Sequence, residues 1–423
     1  MKYMDKVFKN RELHDSSIVL LSNIFAQAVN FIVVLVITKV LSVDEYGKYA
    51  ILNTVLSLAT DLSDMGMNGS VTKFIAEYHN KDQCYESTII AYATKKKLRN
   101  SAMVIALLML SSKFIAHFCV HDDSYTVYVI VISFCIGFTL ISSMNKAIFQ
   151  GRQTYKLYFY SVVIDTLTYF VLICCFYISN NLTIFSVIIS NVIRMLISML
   201  SSSLMAGLNI REIISSSIEN SEVLSQFSTF SKWMLLWAIF ANLQSRADVI
   251  LLSQLTTVSQ VSYYDVANKL TKPILLVLSA YATVMSPIYA QLGSSKELKE
   301  KVRKTAKSIA LVSLGLIIAC LLAEPVLRIL FRDKYSLSII PLRIMLISLV
   351  FFVWTVPYNS ALYALNKPSI FALAAGIGLI INIIGDYLLL PRFGAVGAAI
   401  TYFIAQVESF VVAYIAYKKI VKI

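Results

Sequence analysis

The chain has 423 residues, of which 58% are hydrophobic and 14% charged, with a formal net charge of +13. In soluble domains about a quarter of the residues are charged, so this composition excludes an ordinary soluble protein. It predicts an all-α, polytopic membrane protein. Apolar runs recur across residues 18–420 with only short breaks, a pattern that favours transmembrane helices over a barrel.

Hydropathy predicts about twelve transmembrane helices of roughly 20 residues each. The predicted spans cover residues 18–40, 47–67, 100–120, 126–149, 156–178, 183–207, 232–254, 262–291, 305–330, 337–364, 368–390 and 395–417. A polar stretch at residues 209–231 indicates a cytoplasmic linker. It separates an N-terminal lobe of residues 1–208 from a C-terminal lobe of residues 232–423.

The basic residues are concentrated on one side of the predicted spans. Most of the 37 Lys and Arg fall in the N-terminal tail, in the loops that follow even-numbered spans, and at the C-terminus. By the positive-inside rule, both termini are expected in the cytoplasm. We interpret the clusters, such as residues 95–99 with Lys95, Lys96, Lys97 and Arg99, as topology signals and lipid-headgroup contacts, and predict no nucleic-acid partner.

Several common sequence signals are missing. The N-terminus has no short apolar core followed by a small-residue cleavage site, so no removable signal peptide is expected. The six cysteines form no CxxC pair, and the four histidines show no metal-ligand spacing. We therefore predict neither a metal nor a cofactor.

A stretch near the N-terminus recurs 215 residues later. Residues 36–53 match residues 251–268, which places Tyr49 over Tyr264 and Asn53 over Asn268. Each copy ends one apolar run and begins the next. The repeat predicts two halves of parallel organisation.

The first predicted span carries three amides, Asn23, Gln27 and Asn30, on one helical face. Amides that face lipid are costly, so this face should contact other helices or water. Interhelical hydrogen bonds and a cavity lining both fit. The repeat favours the cavity, because it aligns Gln27 with Asn242.

Charged side chains inside the predicted spans are the candidate binding residues, because a charge in a bilayer persists only where it pairs or faces a wet cavity. Four cations stand out: Arg194, Arg246, Lys269 and Lys272. A cavity lined by such cations would suit an anionic headgroup such as a pyrophosphate, which Arg can grip with two hydrogen bonds. Local pairing is the alternative for Lys269 with Asp265, and for Arg194 with Asp165.

Three carboxylates in the second half, Asp248, Asp386 and Glu408, could take up H⁺ or Na⁺ and couple transport to an ion gradient. Structural pairing with Lys or Arg is the alternative for each. Asp248 lies about 200° around its helix from Arg246, so those two side chains are not expected to pair.

Several short motifs occur in an order and at a spacing that are typical of one protein family. They are LSVDEYGKYA at residues 41–50, followed by Asp64 and Gly66; residues 248–252, followed by Tyr264; NKP at residues 366–368; and DYLLLPRFGAVGAA at residues 386–399. In this order and spacing the chain resembles the polysaccharide (O-antigen and capsule type) flippases of the multidrug, oligosaccharidyl-lipid and polysaccharide exporter superfamily. Asp248 matches a position that is often acidic in that family. Ser262, by contrast, stands where the family often has Gly.

The resemblance implies two pseudo-symmetric six-helix lobes around a central cavity. It implies alternating access, which moves a polyprenyl-pyrophosphate-linked oligosaccharide across the bacterial inner membrane for the synthesis of surface polysaccharide such as lipopolysaccharide O-antigen. Membrane lipids, a coupling ion and other polysaccharide-assembly proteins would then be its partners.

Three other functions compete with this expectation. A multidrug exporter of the same superfamily would need a cavity dominated by carboxylates and aromatic rings, whereas the cations here favour an anionic substrate. A lipid II flippase is closer, and the count of about twelve spans argues only mildly against it. A membrane glycan polymerase or ligase needs catalytic groups on a sizeable outward loop, and the predicted outward loops are short and offer no nucleophile or general base. The sequence therefore predicts a transporter rather than an enzyme.

Overall fold

The computed structural model describes residues 2–78, 83–207, 227, 243, 246–290, 295–365 and 369–420, and these residues are almost entirely helical, with no strand among them. The all-α prediction is confirmed. A helix satisfies its backbone hydrogen bonds within its own segment, which is what a hydrocarbon environment requires.

The N-terminal half consists of long helices joined by tight turns. They are α1 (Lys2–Val40), α2 (Val43–Asp64), α3 (Met67–Tyr78), α4 (Gln83–Leu110), α5 (Ser112–Ile115), α6 (Thr126–Gly151), α7 (Tyr155–Ile178) and α8 (Ile184–Ala206). The start of α8 is fixed by a capping box between Thr183 and Ser186. Its end is fixed by Gly207, whose φ of 62° is a conformation that glycine adopts without strain.

The described part of the C-terminal half continues the same pattern. Its helices are α9 (residues 246–255), α10 (Val258–Ala290), α11 (Ser295–Phe331), α12 (Ile339–Ala364), α13 (Ser369–Phe393) and α14 (Ala395–Ile420).

The third predicted span, residues 100–120, is not one straight helix. The chain bends by 62° between α4 and the segment of residues 112–120. Ser111 and Ser112 lie at the bend, and their hydroxyls donate to the carbonyls of Leu107 and Met109 at 2.8 and 2.7 Å. Hydroxyls that bond back to the preceding turn compete with the helical ladder and bend helices.

The number of spans is lower in the described residues than the sequence predicts. Among them, eight helices are long and apolar enough to cross a membrane, or nine if the bent pair counts as one span. Helices α2 and α10 do form at predicted spans, but charged residues interrupt their apolar character. Most of the predicted span at residues 232–254 lies outside the described residues. The count of twelve therefore stays a prediction.

The chain divides into two compact units. Unit 1 comprises residues 1–41 and 52–239, and unit 2 comprises residues 42–51 and 240–423. The core of unit 1 includes Phe74 and Ile89, and Phe227 packs edge-on against Phe74 within it. Apart from Phe227, the predicted linker at residues 209–231 lies outside the described residues, so the linker and the lobe boundaries stay predictions.

One basic residue of the predicted headgroup-facing clusters is buried instead. Lys97 is 2% exposed, and its Nζ lies 2.7 Å from Asp64 Oδ1. The same ammonium donates to Asn68 Oδ1 at 2.5 Å. These two partners compensate its burial inside unit 1, so the interpretation of Lys97 as a lipid contact is wrong.

Within unit 2, the two copies of the sequence repeat pack on each other. Ser259 Oγ donates to Asp44 Oδ1 at 2.5 Å, and these residues are equivalent under the offset of 215. Ser262 Oγ donates to the Val43 carbonyl at 2.5 Å, while the equivalent pair, Gly47 and Val258, is also in close contact. Reciprocal contacts of this kind are the mark of a local two-fold relation between the segments.

Glycine at position 47 allows the two segments this approach. A Cβ there would lie 2.6 Å from Ser262 Oγ and 2.7 Å from Val258 Cγ1, and closer still to the Val258 carbonyl. We expect Gly47→Leu to separate the segments. The measurement is disulfide formation between Asp44→Cys and Ser259→Cys in a chain whose native cysteines are replaced. We expect the disulfide yield to fall at least about fivefold, which corresponds to a loss of roughly 1 kcal/mol in the free energy of contact between the segments.

Gly137→Leu is the matched control, because a Cβ at position 137 meets nothing within 4 Å. It should leave the disulfide yield unchanged. An undiminished yield in Gly47→Leu would contradict the packing described for residues 42–51.

Candidate functional site

Two carboxylates predicted from separate helices are brought together in unit 2. Asp248 lies on α9 and Asp386 on α13, and they are 3% and 0% exposed. Each lies close enough to the other for their side chains to interact. The Tyr264 hydroxyl donates to Asp248 Oδ2, and Thr401 Oγ1 donates to Asp386 Oδ1 at 2.5 Å.

The remaining oxygens of this acidic pair lack hydrogen bonds. No neighbouring side chain donates to the buried atoms Asp248 Oδ1 and Asp386 Oδ2, and Oδ1 of Asn382, one turn before Asp386, also has no donor. The two carboxyl groups are close enough to share a hydrogen bond when one of them carries a proton. Two buried carboxylates cannot both carry a full negative charge at such a site unless a proton or a cation compensates them. Oxygen atoms from carboxylates and amides are also what hard cations bind. The arrangement can therefore take up H⁺ or a small cation.

Glu408, the third predicted acid, is placed differently. It lies on α14, and both of its carboxylate oxygens are buried without a hydrogen-bond partner. It follows Thr401 by seven residues on the same helical face, which is about 10 Å along the axis.

The cations predicted in the second half also form one group. On α10, Asp265, Lys269 and Lys272 share a face at i, i+4 and i+7. The charges of Lys269, Arg246 and Asp265 all act on Lys272. Lys272 is exposed, while Lys269 and Arg246 are half-buried. The group therefore brings three cationic side chains of α9 and α10 together in unit 2.

Asp265 is held by a residue from the first repeat. The Tyr46 hydroxyl donates to Asp265 Oδ2 at 2.7 Å, and Tyr46 is fully buried in unit 2. This bond fixes the carboxylate at the edge of the cationic group. The sequence suggested pairing of Asp265 with Lys269, and the tyrosine is a partner that it did not predict.

Arg194, the cation predicted in the first half, lies in unit 1. Its Nε is 3.7 Å from Asp165 Oδ1, the partner considered from the sequence. A third residue, Lys146 on α6, approaches the other oxygen of Asp165 to 3.7 Å.

The amide face of α1 contacts a neighbouring helix at one end. Tyr158 Oη donates to Asn23 Oδ1 at 3.5 Å, so helix contact accounts for Asn23. Gln27 and Asn30 are half-buried in unit 1. Asn242 lies outside the described residues, so its alignment with Gln27 stays a prediction.

Three residues of these sites were not predicted from the sequence: Lys146, Asn382 and Thr401. Lys146 stands inside a predicted span, which is the same signal that identified Arg194. Asn382 precedes Asp386 by one helical turn, a spacing that places two polar groups on one face. Nothing in the sequence singled out Thr401, because a threonine hydroxyl can donate to a carbonyl of its own helix and threonine is common in membrane spans.

Comparison with known proteins identifies the family. The model of the "Polysaccharide biosynthesis protein" family matches residues 13–293, and the MatE model matches residues 234–388. A protein of Haloferax volcanii named "Probable low-salt glycan biosynthesis flippase Agl15" is 23% identical over 92% of this chain and 80% of its own length. A Shigella flexneri protein named "Putative O-antigen transporter" is 23% identical over 84% of this chain and 86% of its own length.

Solved structures share the fold. The lipid II flippase MurJ in an inward closed conformation superposes with a TM-score of 0.73 at 14% identity, covering 94% of this chain and 87% of MurJ. An inward-facing multidrug transporter of the MOP superfamily gives a TM-score of 0.75 at 11% identity, covering 94% of each chain. With a family model that matches most of its length, the chain belongs to the polysaccharide biosynthesis protein family.

Proposed function

We propose that this chain is a flippase that moves polyprenyl-pyrophosphate-linked oligosaccharide repeat units from the cytoplasmic to the outer face of the bacterial inner membrane. The observation that carries the proposal is the cationic group of Arg246, Lys269 and Lys272 in unit 2. Charged side chains within membrane-spanning helices mark substrate pathways where they face a wet cavity, and three cations lie together here. A pyrophosphate supplies two adjacent anionic groups, to which a guanidinium and two ammonium groups can donate charge-assisted hydrogen bonds.

The lipid and the sugars divide between two environments in this proposal. The headgroup and glycan travel past the cationic group, while the polyprenyl chain stays in lipid. Both termini lie in the cytoplasm, as the distribution of Lys and Arg favours. Residues 42–51 then lie toward the outer face, one span after the N-terminus.

Ion coupling is the second part of the proposal. The pair of Asp248 and Asp386, with the amide of Asn382, takes up H⁺ or Na⁺, and the ion gradient drives the conformational cycle. Support comes from three buried oxygens without hydrogen-bond partners in one place. The cation binds whichever conformation brings those oxygens together, and so shifts the population toward it.

Transport rather than glycan transfer fits the relatives, which are named as a flippase and a transporter. A polymerase or ligase would consume the lipid-linked unit after it had crossed the membrane. The two functions therefore differ in which face of the membrane accumulates substrate when the protein is lost.

The experiment is to locate lipid-linked repeat units in cells that lack this protein. We expect the units to accumulate on the cytoplasmic face while surface polysaccharide disappears, with both changes reversed by the wild-type chain. Accumulation on the outer face would contradict the proposal, because it would place the missing step after flipping.

A further inference from the structure

The exposed apolar stripe along α4 is short for a membrane span. Its two ends are marked by the exposed charges of Arg99 and Lys113, and the exposed residues between them on the same helical face are Met103, Ala106 and Leu110. The 14 residues from Arg99 to Lys113 measure about 21 Å as a helix, whereas the hydrocarbon core of a bilayer is about 30 Å thick. The stripe therefore covers only about two thirds of that thickness.

Another span of the same unit is long enough. On α7, Lys156 is an exposed charge near the start, and the helix continues for 22 residues to Ile178. That length is about 33 Å, and exposed apolar side chains such as Val171 lie along it. Asp165, the one charged residue of α7 beyond Lys156, is half-buried and lies 3.7 Å from Arg194. One bilayer must therefore accommodate two different lengths on the surface of unit 1.

The segment of residues 112–120, which follows the 62° bend after α4, has three different faces. One face is buried within unit 1 and consists of Ser112, Ala116 and Val120. A second face is polar and exposed, with Lys113 and His117. The third carries the exposed rings of Phe114 and Phe118, whose centroids are 4.4 Å apart.

Such a segment lies along a membrane surface and adds little to the length of the span. A helical segment with separate polar and apolar sides settles in the plane of the interface, and aromatic rings are common at headgroup level. At a 62° bend, its nine residues add only about 6 Å along the axis of α4. The whole run from Arg99 to Val120 therefore reaches only about 24 Å.

Both ends of this short run are anchored at headgroup level. Lys95, Lys96 and Arg99 mark one end, and Phe114 and Phe118 mark the other. A span shorter than the hydrocarbon core is accommodated when the bilayer thins or when long charged side chains reach out to the headgroups. Thinning costs less per ångström than the burial of a charge in hydrocarbon, so anchors at both ends favour a thinner bilayer.

We propose that unit 1 thins the bilayer beside α4, with Arg99 and Lys113 at the two headgroup layers and residues 112–120 lying in the interface. The partner of this surface is the lipid itself, at a hydrocarbon thickness of about 20–25 Å instead of about 30 Å. A polar headgroup beside α4 then has less hydrocarbon between it and the opposite face. The assignment of residues 112–120 to the outer leaflet rests on the topology of the proposed function, whereas the local thinning does not.

The test is the depth of a nitroxide spin label on the full-length protein in liposomes, measured from its accessibility to oxygen and to a water-soluble nickel complex. Each label is attached to a single cysteine in a chain whose native cysteines are replaced. Phe114→Cys places the label 15 residues after Arg99, and the matched control Val171→Cys places it 15 residues after Lys156. Both positions are exposed in unit 1. We expect the label at position 171 to lie within the hydrocarbon and the label at position 114 to be at least about 5 Å shallower.

Two substitutions at position 113 test whether its charge sets the edge of the thin region. Lys113→Leu should let hydrocarbon extend over residues 112–120, and the label at position 114 should then move toward the depth of the label at position 171. Lys113→Arg keeps the charge and should leave the label shallow. Should Phe114→Cys disturb the segment, Phe118→Cys offers a second label on the same face and should also be shallow.

Equal depths at positions 114 and 171 would overturn the thin region, because Arg99 and Lys113 would then reach the headgroups through extended side chains alone. A depth at position 114 that Lys113→Leu does not change would also overturn it. Flipping by a protein whose two label depths are equal would remove the thin region and leave the proposed function standing. A shallow label at position 114 without flipping would do the reverse.

Discussion

Replacing Arg246 with Ala should lower the export of lipid-linked glycan about ten- to a hundredfold, while the chain stays folded and inserted. A hydrogen bond between charged groups contributes roughly 1.5–3 kcal/mol, and each 1.4 kcal/mol is a factor of ten. Arg246 belongs to the cationic group around Lys272, so its loss removes a guanidinium that the pyrophosphate would contact. The measurement is surface polysaccharide in cells that express wild type or variant at equal membrane levels.

The chain offers a matched control in Arg328. This residue is 61% exposed and pairs at 3.0 Å with Glu324, one turn before it on α11. Arg328→Ala should leave export near the wild-type level, because exposed pairs of this kind contribute little. Arg246→Lys keeps the charge but lacks the planar pair of donors, so its export should lie between the levels of Arg246→Ala and the wild type. Normal glycan display by Arg246→Ala would remove Arg246 from the substrate site.

Replacing Asp386 with Asn should abolish the response of the protein to its coupling ion. In the wild type, Asp386 Oδ2 and Asp248 Oδ1 are buried without hydrogen bonds, so an ion that binds there stabilises the folded state. A cation at one hundred times its Kd would add about 2.7 kcal/mol of stability. In Asp386→Asn one carboxylate remains, and most of this increment should be lost, together with gradient-driven export.

The measurement is the unfolding midpoint in Na⁺ against a large organic cation at fixed pH, followed by a pH series without Na⁺. A response to Na⁺ identifies a sodium site, and a response to pH alone identifies a proton site. Asp333→Asn, at an exposed carboxylate between α11 and α12, is the control and should behave as the wild type. Identical responses in the wild type and Asp386→Asn would rule out this pair as the coupling site.

The helical architecture was predictable because it depends on local properties. A run of apolar residues long enough to cross a bilayer leaves the backbone few alternatives to a helix, so composition and hydropathy were sufficient. The bend at Ser111 was not predictable in this way, since hydropathy does not register how serine hydroxyls bond to the preceding turn.

The sequence was sufficient to predict which charged residues lie within the helices, but not which of them lie next to one another. Asp248 and Asp386 are far apart in sequence, and only the tertiary structure brings their side chains close enough to interact. Arg194 was predicted with either of two roles, and the position of Lys146 at the same carboxylate favours a shared site over a simple pair. The repeat was visible in sequence, yet the contact between its two copies depends on tertiary structure.

Reconstituted flipping tests the central claim most directly. The purified chain is placed in liposomes loaded on one face with polyprenyl-pyrophosphate-linked oligosaccharide, and a membrane-impermeant lectin measures the glycan that reaches the other face. We predict that wild-type protein moves the glycan faster than protein-free liposomes, and that Arg246→Ala reduces this rate about ten- to a hundredfold. A wild-type rate equal to that of protein-free liposomes, with the chain folded and an ion gradient applied, would contradict the account.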